Sequence, residues 1–324
     1  MNISSFLPVS VILPILNEER DLNQCITAIL QQDYPSDIEI ILALGPSKDK
    51  TNQIANQLVA ADSRIKLVNN LTGQTAVGLN LAIAAATYEI ICRVDGHSEI
   101  SNSYIKTAVE IMQQQGAVNV GGLMYADSEY GLQRVVALAM RSKLGVGPSK
   151  FHTGGVAGAT DTVYLGTFNK SAILAAGGFD ERYTRAQDWE LNHRLRKNGG
   201  LVWFDPRLVV TYRPRKTFSK LARQYFQYGR WRRVITRTHS NTSSLRYLAP
   251  PFAVVVNLFS LVSGVFVTPL LLLPLMVYIF TIVIGGFMIG RKITDKLLMP
   301  LVLATMHMSW GLGFITSPKN LLKG

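Results

Sequence analysis

The chain has 324 residues, 48% of them hydrophobic, so it can bury a sizeable core in one or two domains and is not disordered. Its 33 Lys and Arg against 21 Asp and Glu leave a net charge of +12, which favours an anionic partner: nucleic acid, an anionic membrane surface or a phosphate-bearing substrate. Only two cysteines occur, Cys25 and Cys92, which argues against a disulfide framework or a zinc site and fits a reducing compartment.

The first part of the chain alternates short β-rich apolar runs with helix-like stretches. The predicted strands cover 9–13, 38–44, 65–69 and 90–94, and the predicted helices cover about 19–31, 49–61 and 75–86. This alternation indicates βαβ crossovers and a mostly parallel sheet, hence an α/β fold with its ligand site at the carboxyl ends of the strands. No dinucleotide-binding or P-loop motif follows these strands.

A short polar segment, "RVDGHSE", follows the fourth predicted strand. Asp95 and His97 are separated by Gly96, so a tight turn can bring both side chains to the same side and onto one cation. An Asp carboxylate suits Mg²⁺ or Mn²⁺, and an imidazole shifts the preference towards Mn²⁺. By itself the segment is equally consistent with a simple turn.

Two further motifs could take part in chemistry. "GGFDE" at 177–181 precedes the helix-like "QDWELNHRLR", in whose first turn Asp188 either caps the helix or projects into a cleft. "QYGRW" at 227–231 lies in a basic, aromatic segment that would also bind anionic lipid headgroups without any catalysis.

Residues 247–290 contain no Asp, Glu, Lys or Arg. This run is about twice the length that a helix needs to cross the ~30 Å hydrocarbon core, so it predicts a hairpin of two membrane spans. Arginines and lysines flank both of its ends, which places both ends at the cytoplasmic face. A third apolar segment, 297–315, either spans the membrane or lies in its interface.

Taken in order, these motifs resemble those of the family 2 glycosyltransferases, which are inverting enzymes with the GT-A nucleotide-sugar-binding fold. The resemblance covers about residues 8–240 and is strongest to membrane-attached enzymes of succinoglycan-type exopolysaccharide synthesis. It rests on "VSVILPILNEE" for the opening strand and its loop, "VDGHSE" for the D-x-D motif, "GGFDE" with "QDWELNHRL", and "QYGRW" for Q-x-x-R-W.

The resemblance implies a role for each motif. Asp188 would be the general base, and Asp95 with His97 would hold Mn²⁺ or Mg²⁺, although Asp95 could also hold the ion with only water and diphosphate. The acceptor would be bordered by Gln227, Arg230 and Trp231, with Trp231 stacking on a sugar or shaping the cleft. The residues expected to bind the nucleotide sugar are Pro14, Asn17, Glu18, Asp49, Gly73 and Asp95.

The sequence departs from the family pattern at two places. Leu44 and Gly45 replace an acidic pair that many relatives carry after the second strand, so that only Asp49 remains of this uridine-binding region. Gln187 replaces the Glu that usually precedes the base, which removes a negative charge and favours a lower pKa for Asp188.

We therefore predict an α/β GT-A (Rossmann-like) domain followed by a C-terminal helical transmembrane region. The predicted parts are a catalytic domain at 1–215, a basic interfacial segment at 216–246, and a membrane region of two or three helices at 247–324. The protein would transfer a sugar from a UDP-sugar to a lipid-linked or growing saccharide acceptor in exopolysaccharide or cell-envelope glycan synthesis. It would be a multi-pass protein of the inner (plasma) membrane, with its catalytic domain cytoplasmic.

Two alternatives stay open: a nucleotidyltransferase of the same fold, and an inactive membrane-bound protein that binds a nucleotide or saccharide. A nucleic-acid partner is not expected, because the basic residues concentrate beside an apolar hairpin, as they would at a lipid surface.

Overall fold

The computed structural model describes residues 6–240 and 242–322; residues 1–5, 241, 323 and 324, which belong to the predicted domains, lie outside the described residues. The chain divides into two compact units. The first contains Met1–Tyr125 and Gly154–Tyr212, and the second contains Ala126–Thr153 and Arg213–Gly324. The predicted catalytic domain, 1–215, includes 126–153, which group with the C-terminal unit.

One mixed sheet forms the first unit. Along the described chain its strands are β1 (Val9–Ile15), β2 (Ile38–Leu44), β3 (Ile65–Asn69), β4 (Ile90–Arg93), β5 (Glu99–Ile100), β6 (Asn119–Ala126), β7 (Gly158–Ala159), β8 (Tyr164–Asn169) and β9 (Val202–Tyr212). Their order is β3-β2-β1-β4-β8-β6-β9-β5, with β7 beside β9. The strands β1 to β4 pair in parallel, and β4 pairs with β8 in antiparallel orientation.

The four predicted strands are confirmed, with small shifts at their ends. β1 continues through Pro14 to Ile15, whereas the prediction stopped at 13. Proline has no backbone N–H to donate to a neighbouring strand. This is tolerated at Pro14 because the pairing of β1 with β4 ends at Ile12, so β4 has no carbonyl opposite Pro14 that needs a donor. Pro14 is therefore a strand residue, and the loop begins beyond Ile15.

Helices cover both faces of the sheet. Those of the first unit are α1 (Leu22–Leu30), α2 (Thr51–Ala61), α3 (Thr75–Ala85), α4 (Tyr104–Gln115), α8 (Lys170–Ala175) and α9 (Gln187–Lys197). Because side chains alternate along a strand, Val11 and Leu13 of β1 pack in one core with α1 and α4, whereas Ile12 packs in the other with α3 and α9. Both layers bury large aliphatic side chains, as expected for a parallel sheet.

A buried carboxylate joins the first three strands. Glu39 in β2 accepts hydrogen bonds from Ser10 Oγ in β1 at 2.6 Å, from Lys66 Nζ in β3 at 2.7 Å and from the backbone N–H of Thr87 at 2.5 Å. Burial acts to raise the pKa of the Glu39 carboxyl, but these hydrogen bonds outweigh burial and hold the pKa below its ordinary value. The ionised form therefore stabilises the parallel half of the sheet.

The second unit is helical. Its described helices are α5 (Gly131–Met140), α6 (Lys143–Val146), α7 (Lys150–Thr153), α10 (Phe218–Thr238), α11 (Leu245–Phe266), α12 (Leu273–Ile289) and α13 (Ile293–Ile315). A 3₁₀ turn at Pro269–Leu272 joins α11 to α12. Three segments, Leu245–Phe266, Pro269–Ile289 and Ile293–Ile315, are long and apolar enough to cross a membrane.

Glycines bring the helices α10 and α13 close together. A Cβ on Gly229 of α10 would lie 1.9 Å from the carbonyl oxygen of Trp310, and a Cβ on Gly313 of α13 would lie 2.0 Å from that of Phe226. The two backbones are therefore in direct contact, an approach that only glycine allows at these positions.

We expect Glu39→Gln to destabilise the first unit, because an amide has one acceptor oxygen and would place a donor against Lys66 or Thr87. The loss should be about 1–3 kcal/mol, the cost of leaving a buried polar group unsatisfied. Thermal unfolding of the detergent-solubilised protein, followed by circular dichroism, measures it as a lower Tm. Asp62→Asn is the control, because it removes an exposed pair with Arg64 worth less than about 1 kcal/mol.

The loss should also depend on pH. Since the folded pKa of Glu39 lies below its unfolded value, its stabilising contribution is complete above the unfolded pKa, about 4.3, and disappears as the pH falls through the folded pKa. The Tm difference between wild type and Glu39→Gln should therefore be constant near neutrality and shrink below about pH 4. Equal Tm values at neutral pH would contradict the assignment.

Candidate active site

The loops that follow β1 and β2 are fastened to each other. Asn17 adopts a left-handed conformation with φ 58°, and its side-chain oxygen accepts a hydrogen bond from the backbone N–H of Lys48 at 2.8 Å. In return, Ser47 Oγ accepts from the backbone N–H of Asn17 at 3.0 Å, and Thr51 Oγ1 accepts from that of Glu18 at 2.7 Å. The hydroxyls of Ser47 and Thr51, which the sequence did not single out, thus fix the conformation of the Asn17-Glu18 loop.

Asp49 and Gly73 complete this group of loops. Asp49 accepts hydrogen bonds from the backbone N–H and the hydroxyl of Thr51 at the start of α2, and these bonds lower the pKa of its carboxyl. Gly73, with φ 66°, packs against Pro46, because a Cβ there would lie 3.2 Å from the proline ring. The loops after the first three parallel strands therefore meet at one edge of the sheet, as predicted.

The turn after β4 reaches the same edge. The backbone N–H of Ser98 donates to the carbonyl of Asp95 at 2.8 Å, which closes the turn. His97 Nδ1 lies 2.9 Å from Glu18 Oε1, and this hydrogen bond raises the pKa of the imidazole, although burial opposes the shift. The structure therefore brings together Glu18 and His97, which the sequence had placed in separate motifs.

A buried arginine connects the turn to α9. Arg93 is the last residue of β4, and only 5% of its side chain is exposed. Its Nε and Nη2 donate to Asp95 Oδ1 at 3.1 and 3.0 Å, and its Nη1 donates to Asp188 Oδ1. One guanidinium therefore holds the predicted metal ligand and the predicted base together.

Asp188 lies in the first turn of α9, where a carboxylate is favoured by the helix dipole. The chain enters α9 through Ala186 in a left-handed conformation, with φ 62°. Burial raises the pKa of the Asp188 carboxyl above its ordinary value; Arg93 acts against this shift, and the negative charge of Asp95 adds to it. The lower pKa expected from Gln187 is relative to a Glu at that position, so it stays a prediction.

The "GGFDE" loop holds α9 in place. Gly177 and Gly178 both adopt left-handed conformations, with φ 86° and 73°. Asn80 of α3 accepts from the backbone N–H of Phe179 at 2.8 Å and donates to its carbonyl at 2.9 Å. Arg194 pairs with Glu190 one turn earlier in α9 and donates to the carbonyl of Gly178 at 2.8 Å. The loop is therefore hydrogen-bonded to both α3 and α9.

The predicted acceptor residues lie on α10, in the second unit. Gln227 and Arg230 are partly exposed, and the Arg230 guanidinium lies 5.8 Å from the centre of the Phe226 ring. Trp231 is only 4% exposed, which leaves little ring surface on which a sugar could stack. Its burial favours the other predicted role, shaping the cleft.

The donor types in the turn after β4 are compatible with a divalent cation. Asp95 and His97 supply an oxygen and a nitrogen donor from one turn, with the Glu18 carboxylate beside the imidazole. Over residues 6–240 and 242–322, no cluster of three or more His, Cys, Asp or Glu side chains forms a full ligand set. A cation here would therefore take its remaining ligands from water and from diphosphate oxygens.

The chain is similar to known proteins over nearly its whole length. The family described as Glycosyl transferase family 2 matches residues 10–165. The chain is 28% identical to the succinoglycan biosynthesis protein ExoA of Rhizobium meliloti (strain 1021), over 94% of this chain and 93% of that one. It is 26% identical, over 98% of both chains, to the dolichyl N-acetyl-alpha-D-glucosaminyl phosphate 3-beta-D-2,3-diacetamido-2,3-dideoxy-beta-D-glucuronosyltransferase of Methanococcus voltae.

The fold also matches a solved structure. The mannosyltransferase PcManGT from Pyrobaculum calidifontis, in complex with GDP-Man and Mn²⁺, aligns with a TM-score of 0.60 over 95% of this chain and 86% of that chain. At 18% identity this match shows the fold alone. It confirms the GT-A-like α/β domain that the sequence predicted.

We expect Arg93→Met to destabilise the protein, because Asp95 and Asp188 would lose their shared cation. Both carboxylates keep some exposed surface, so the loss should be about 2–3 kcal/mol, at or below the low end of the range for fully buried pairs. Adding Asp188→Asn to Arg93→Met should recover part of the loss, because it removes an uncompensated charge. Thermal unfolding of the two single variants and the double variant measures this coupling; purely additive losses would contradict it.

Proposed function

Because residues 10–165 form a family 2 glycosyltransferase domain, we propose that this protein transfers a sugar from a UDP-sugar to a lipid-linked or growing saccharide acceptor, with inversion at the anomeric carbon. The observation that carries the proposal is the group formed by Asp95, Arg93 and Asp188. It sets a carboxylate base beside a cation-binding turn, which are the two elements that an inverting transfer requires.

Asp188 is the proposed general base. A carboxylate with a raised pKa is a better proton acceptor, and this one takes the proton from an acceptor hydroxyl as that oxygen attacks the anomeric carbon. Arg93 orients the carboxylate through its hydrogen bond. Arg93 is thus a positioning residue, which acts through Asp188 and Asp95.

The donor is proposed to bind where the loops after the parallel strands meet. Asn17, Glu18, Asp49 and Gly73 border this edge of the sheet, although the Asn17 side-chain oxygen and the Asp49 carboxylate are already engaged within the loops. A Mn²⁺ or Mg²⁺ ion held by Asp95 and His97 would offset the negative charge that develops on the leaving diphosphate.

Features of the second unit and of the relatives support a proposal for the acceptor and for the location. Gln227, Arg230 and Trp231 are proposed to border the acceptor. The name of the Methanococcus voltae relative describes a sugar attached to dolichyl phosphate, and that of the Rhizobium meliloti relative describes polysaccharide biosynthesis, which support a lipid-linked acceptor in glycan synthesis. The apolar helices with basic flanks support a multi-pass protein of the inner membrane, with the catalytic unit on the cytoplasmic face.

A donor screen tests the proposed function. Detergent-solubilised protein is incubated with Mn²⁺ and a set of UDP-sugars, with GDP-sugars as the competing class, and the released nucleotide is quantified. Release of UDP supports the proposal. Release of pyrophosphate would indicate nucleotidyl transfer, UDP binding without turnover would indicate an inactive binding protein, and turnover of GDP-sugars alone would overturn the choice of nucleotide.

We expect Asp188→Asn to abolish turnover while leaving UDP affinity nearly unchanged, because an amide cannot accept the proton. The expected loss in kcat is about a hundredfold or more, in the range that general-base catalysis supplies. Turnover and UDP binding are measured on the same preparation, with Asp33→Asn, an exposed residue, as the control. Retained turnover would refute the assignment of the base.

His97→Ala should raise the Mn²⁺ concentration needed for UDP binding by about tenfold. A loss of this size is typical when a metal ligand, or a residue that orients a ligand, is removed. Isothermal titration of UDP at a series of Mn²⁺ concentrations measures the change. His239→Ala, a histidine of the second unit, is the control. An unchanged metal requirement would leave Asp95 as the single protein ligand of the pair.

A further inference from the structure

The helices α11 and α12 form an antiparallel hairpin with a defined tip and base. Ser260 Oγ donates to the carbonyl of Leu271 at 2.6 Å and accepts from the backbone N–H of Leu275 at 3.2 Å. The tip is therefore the turn at 267–272. The base consists of the first turns of α11 and the last turn of α12, beside Arg246 and Arg291.

The N-terminal end of α13 lies at this base. Asp295, in the first turn of α13, is fully buried and pairs with Arg134 of α5. Its carboxylate also accepts from the backbone N–H groups of Arg291 and Lys292 at 3.3 and 3.0 Å. This buried acid fastens the start of α13 to a cluster of basic residues directly after α12.

The C-terminal end of α13 lies at the base as well. The ring of Trp310 stacks on that of Tyr247 in the first turn of α11, with centroids 6.4 Å apart. A Cβ on Gly311 would lie 2.5 Å from the carbonyl oxygen of Pro250. Just beyond α13, Arg237 at the end of α10 donates to the carbonyl of Ser317 at 3.0 Å.

The contacts at the two ends of α13 argue against a third span that runs the full length of the hairpin. A helix of 23 residues is about 34 Å long, so a spanning α13 that starts at the end of α12 would carry its last turn past the tip of the hairpin. Instead, its last turns contact the beginning of α11. In the middle of α13, His307 Nε2 lies 2.8 Å from the carbonyl oxygen of Leu144, next to the exposed Lys143, and its Nδ1 lies 3.2 Å from the hydroxyl of Tyr278 in α12. The helix therefore packs against α12 at an angle before its last turns reach α11.

The neighbouring helix sets the depth of α13. α10 packs against α13 through the contacts of Gly229 and Gly313. It carries six basic residues and no acidic one, and each would cost about 2.5–3.5 kcal/mol at the centre of a bilayer. These residues are Lys220, Arg223, Arg230, Arg232, Arg233 and Arg237. The pair of helices therefore belongs at the level of the headgroups.

The face of α13 that points away from the protein is apolar. Five side chains at roughly helical spacing along it are 45–64% exposed: Ile293, Leu297, Leu301, Leu312 and Ile315. An apolar stripe on one side and a basic helix on the other are the two features of an element that lies in the interface of an anionic membrane.

From these contacts we propose that α13 does not cross the membrane but lies in its interface beside α10, across the base of the α11–α12 hairpin. Its partner is the surface of an anionic lipid bilayer, with the apolar stripe at the acyl boundary and the basic residues of α10 at the headgroups. The inference rests on the membrane attachment proposed above. It places the end of α13 on the same side as the start of α11.

Cysteine labelling in spheroplasts tests the arrangement. Three variants carry a new, exposed thiol: Asn198→Cys after α9 in the catalytic unit, Thr268→Cys at the tip of the hairpin and Asn320→Cys beyond α13. The native Cys25 and Cys92 are buried, so the unaltered chain gives the background. A membrane-impermeant maleimide is applied before and after permeabilisation. We expect Thr268→Cys to react in intact spheroplasts, and Asn198→Cys and Asn320→Cys only after permeabilisation.

The outcomes separate this inference from the proposed function. Labelling of Asn320→Cys together with Thr268→Cys in intact spheroplasts would show that α13 spans, while Asn198→Cys would still report a cytoplasmic catalytic unit. Labelling of Asn198→Cys together with Asn320→Cys, but not Thr268→Cys, would overturn the proposed orientation and leave α13 in the interface.

A depth measurement covers the case in which a labelling variant fails to fold. Fluorophores on Leu301→Cys and Leu312→Cys, in protein reconstituted into vesicles with an anionic lipid, are quenched by lipids that carry nitroxides at different depths. The two positions are about 16 Å apart along the helix axis. Equal depths near the headgroups are expected, whereas depths that differ by most of this distance would refute the proposal.

Discussion

The candidate active site depends on one buried guanidinium. Arg93 ends a strand of the sheet with only 5% of its side chain exposed, and a buried cation is tolerated only when anions neutralise it. Asp95, two residues further along, and Asp188, at the start of α9, supply these anions. Because the buried arginine must be neutralised by both carboxylates, it determines where the turn after β4 and the helix α9 meet. The chemistry proposed for the site uses the same two carboxylates.

Local patterns were sufficient for the parallel half of the sheet and missed its antiparallel strands. The runs at 38–44 and 65–69 have the length and the β-branched content of buried strands, and helix-like stretches separate them. The strand β6, "NVGGLMYA", has no such signature, and its Gly122 is needed because the backbone of Leu208 passes where a Cβ would be. That approach comes from tertiary contact, which no local pattern encodes.

The assignment of 126–153 to the second unit has the same cause. The ion pair between Arg134 and Asp295 joins positions far apart in the sequence, and no local sequence pattern around either residue predicts the pairing. The predicted domain boundary followed composition alone. Composition changes at the basic segment before the hairpin, not at residue 126.

The loops of the candidate site could be predicted from the sequence, because the loops that follow parallel strands meet at the carboxyl edge of the sheet. Arg93 was overlooked although it stands in the segment "IICRV", where a charge inside an apolar strand is itself a signal of a buried partner. The hydroxyls of Ser47 and Thr51 were overlooked for a different reason. These hydroxyl oxygens accept hydrogen bonds from backbone N–H groups of a loop distant in sequence. Every residue except proline has such an N–H group, so the sequence does not mark these partners.

The backbone contact between α10 and α13 has a mechanical consequence. Where side chains separate two helices, rotamer changes allow them to slide and absorb small displacements. At Gly229 and Gly313 no side chain intervenes, so the two helices have little freedom to shift against each other. We expect the two helices to move as one rigid unit. A change in bilayer thickness or curvature would then tilt both helices together and leave the angle between them unchanged.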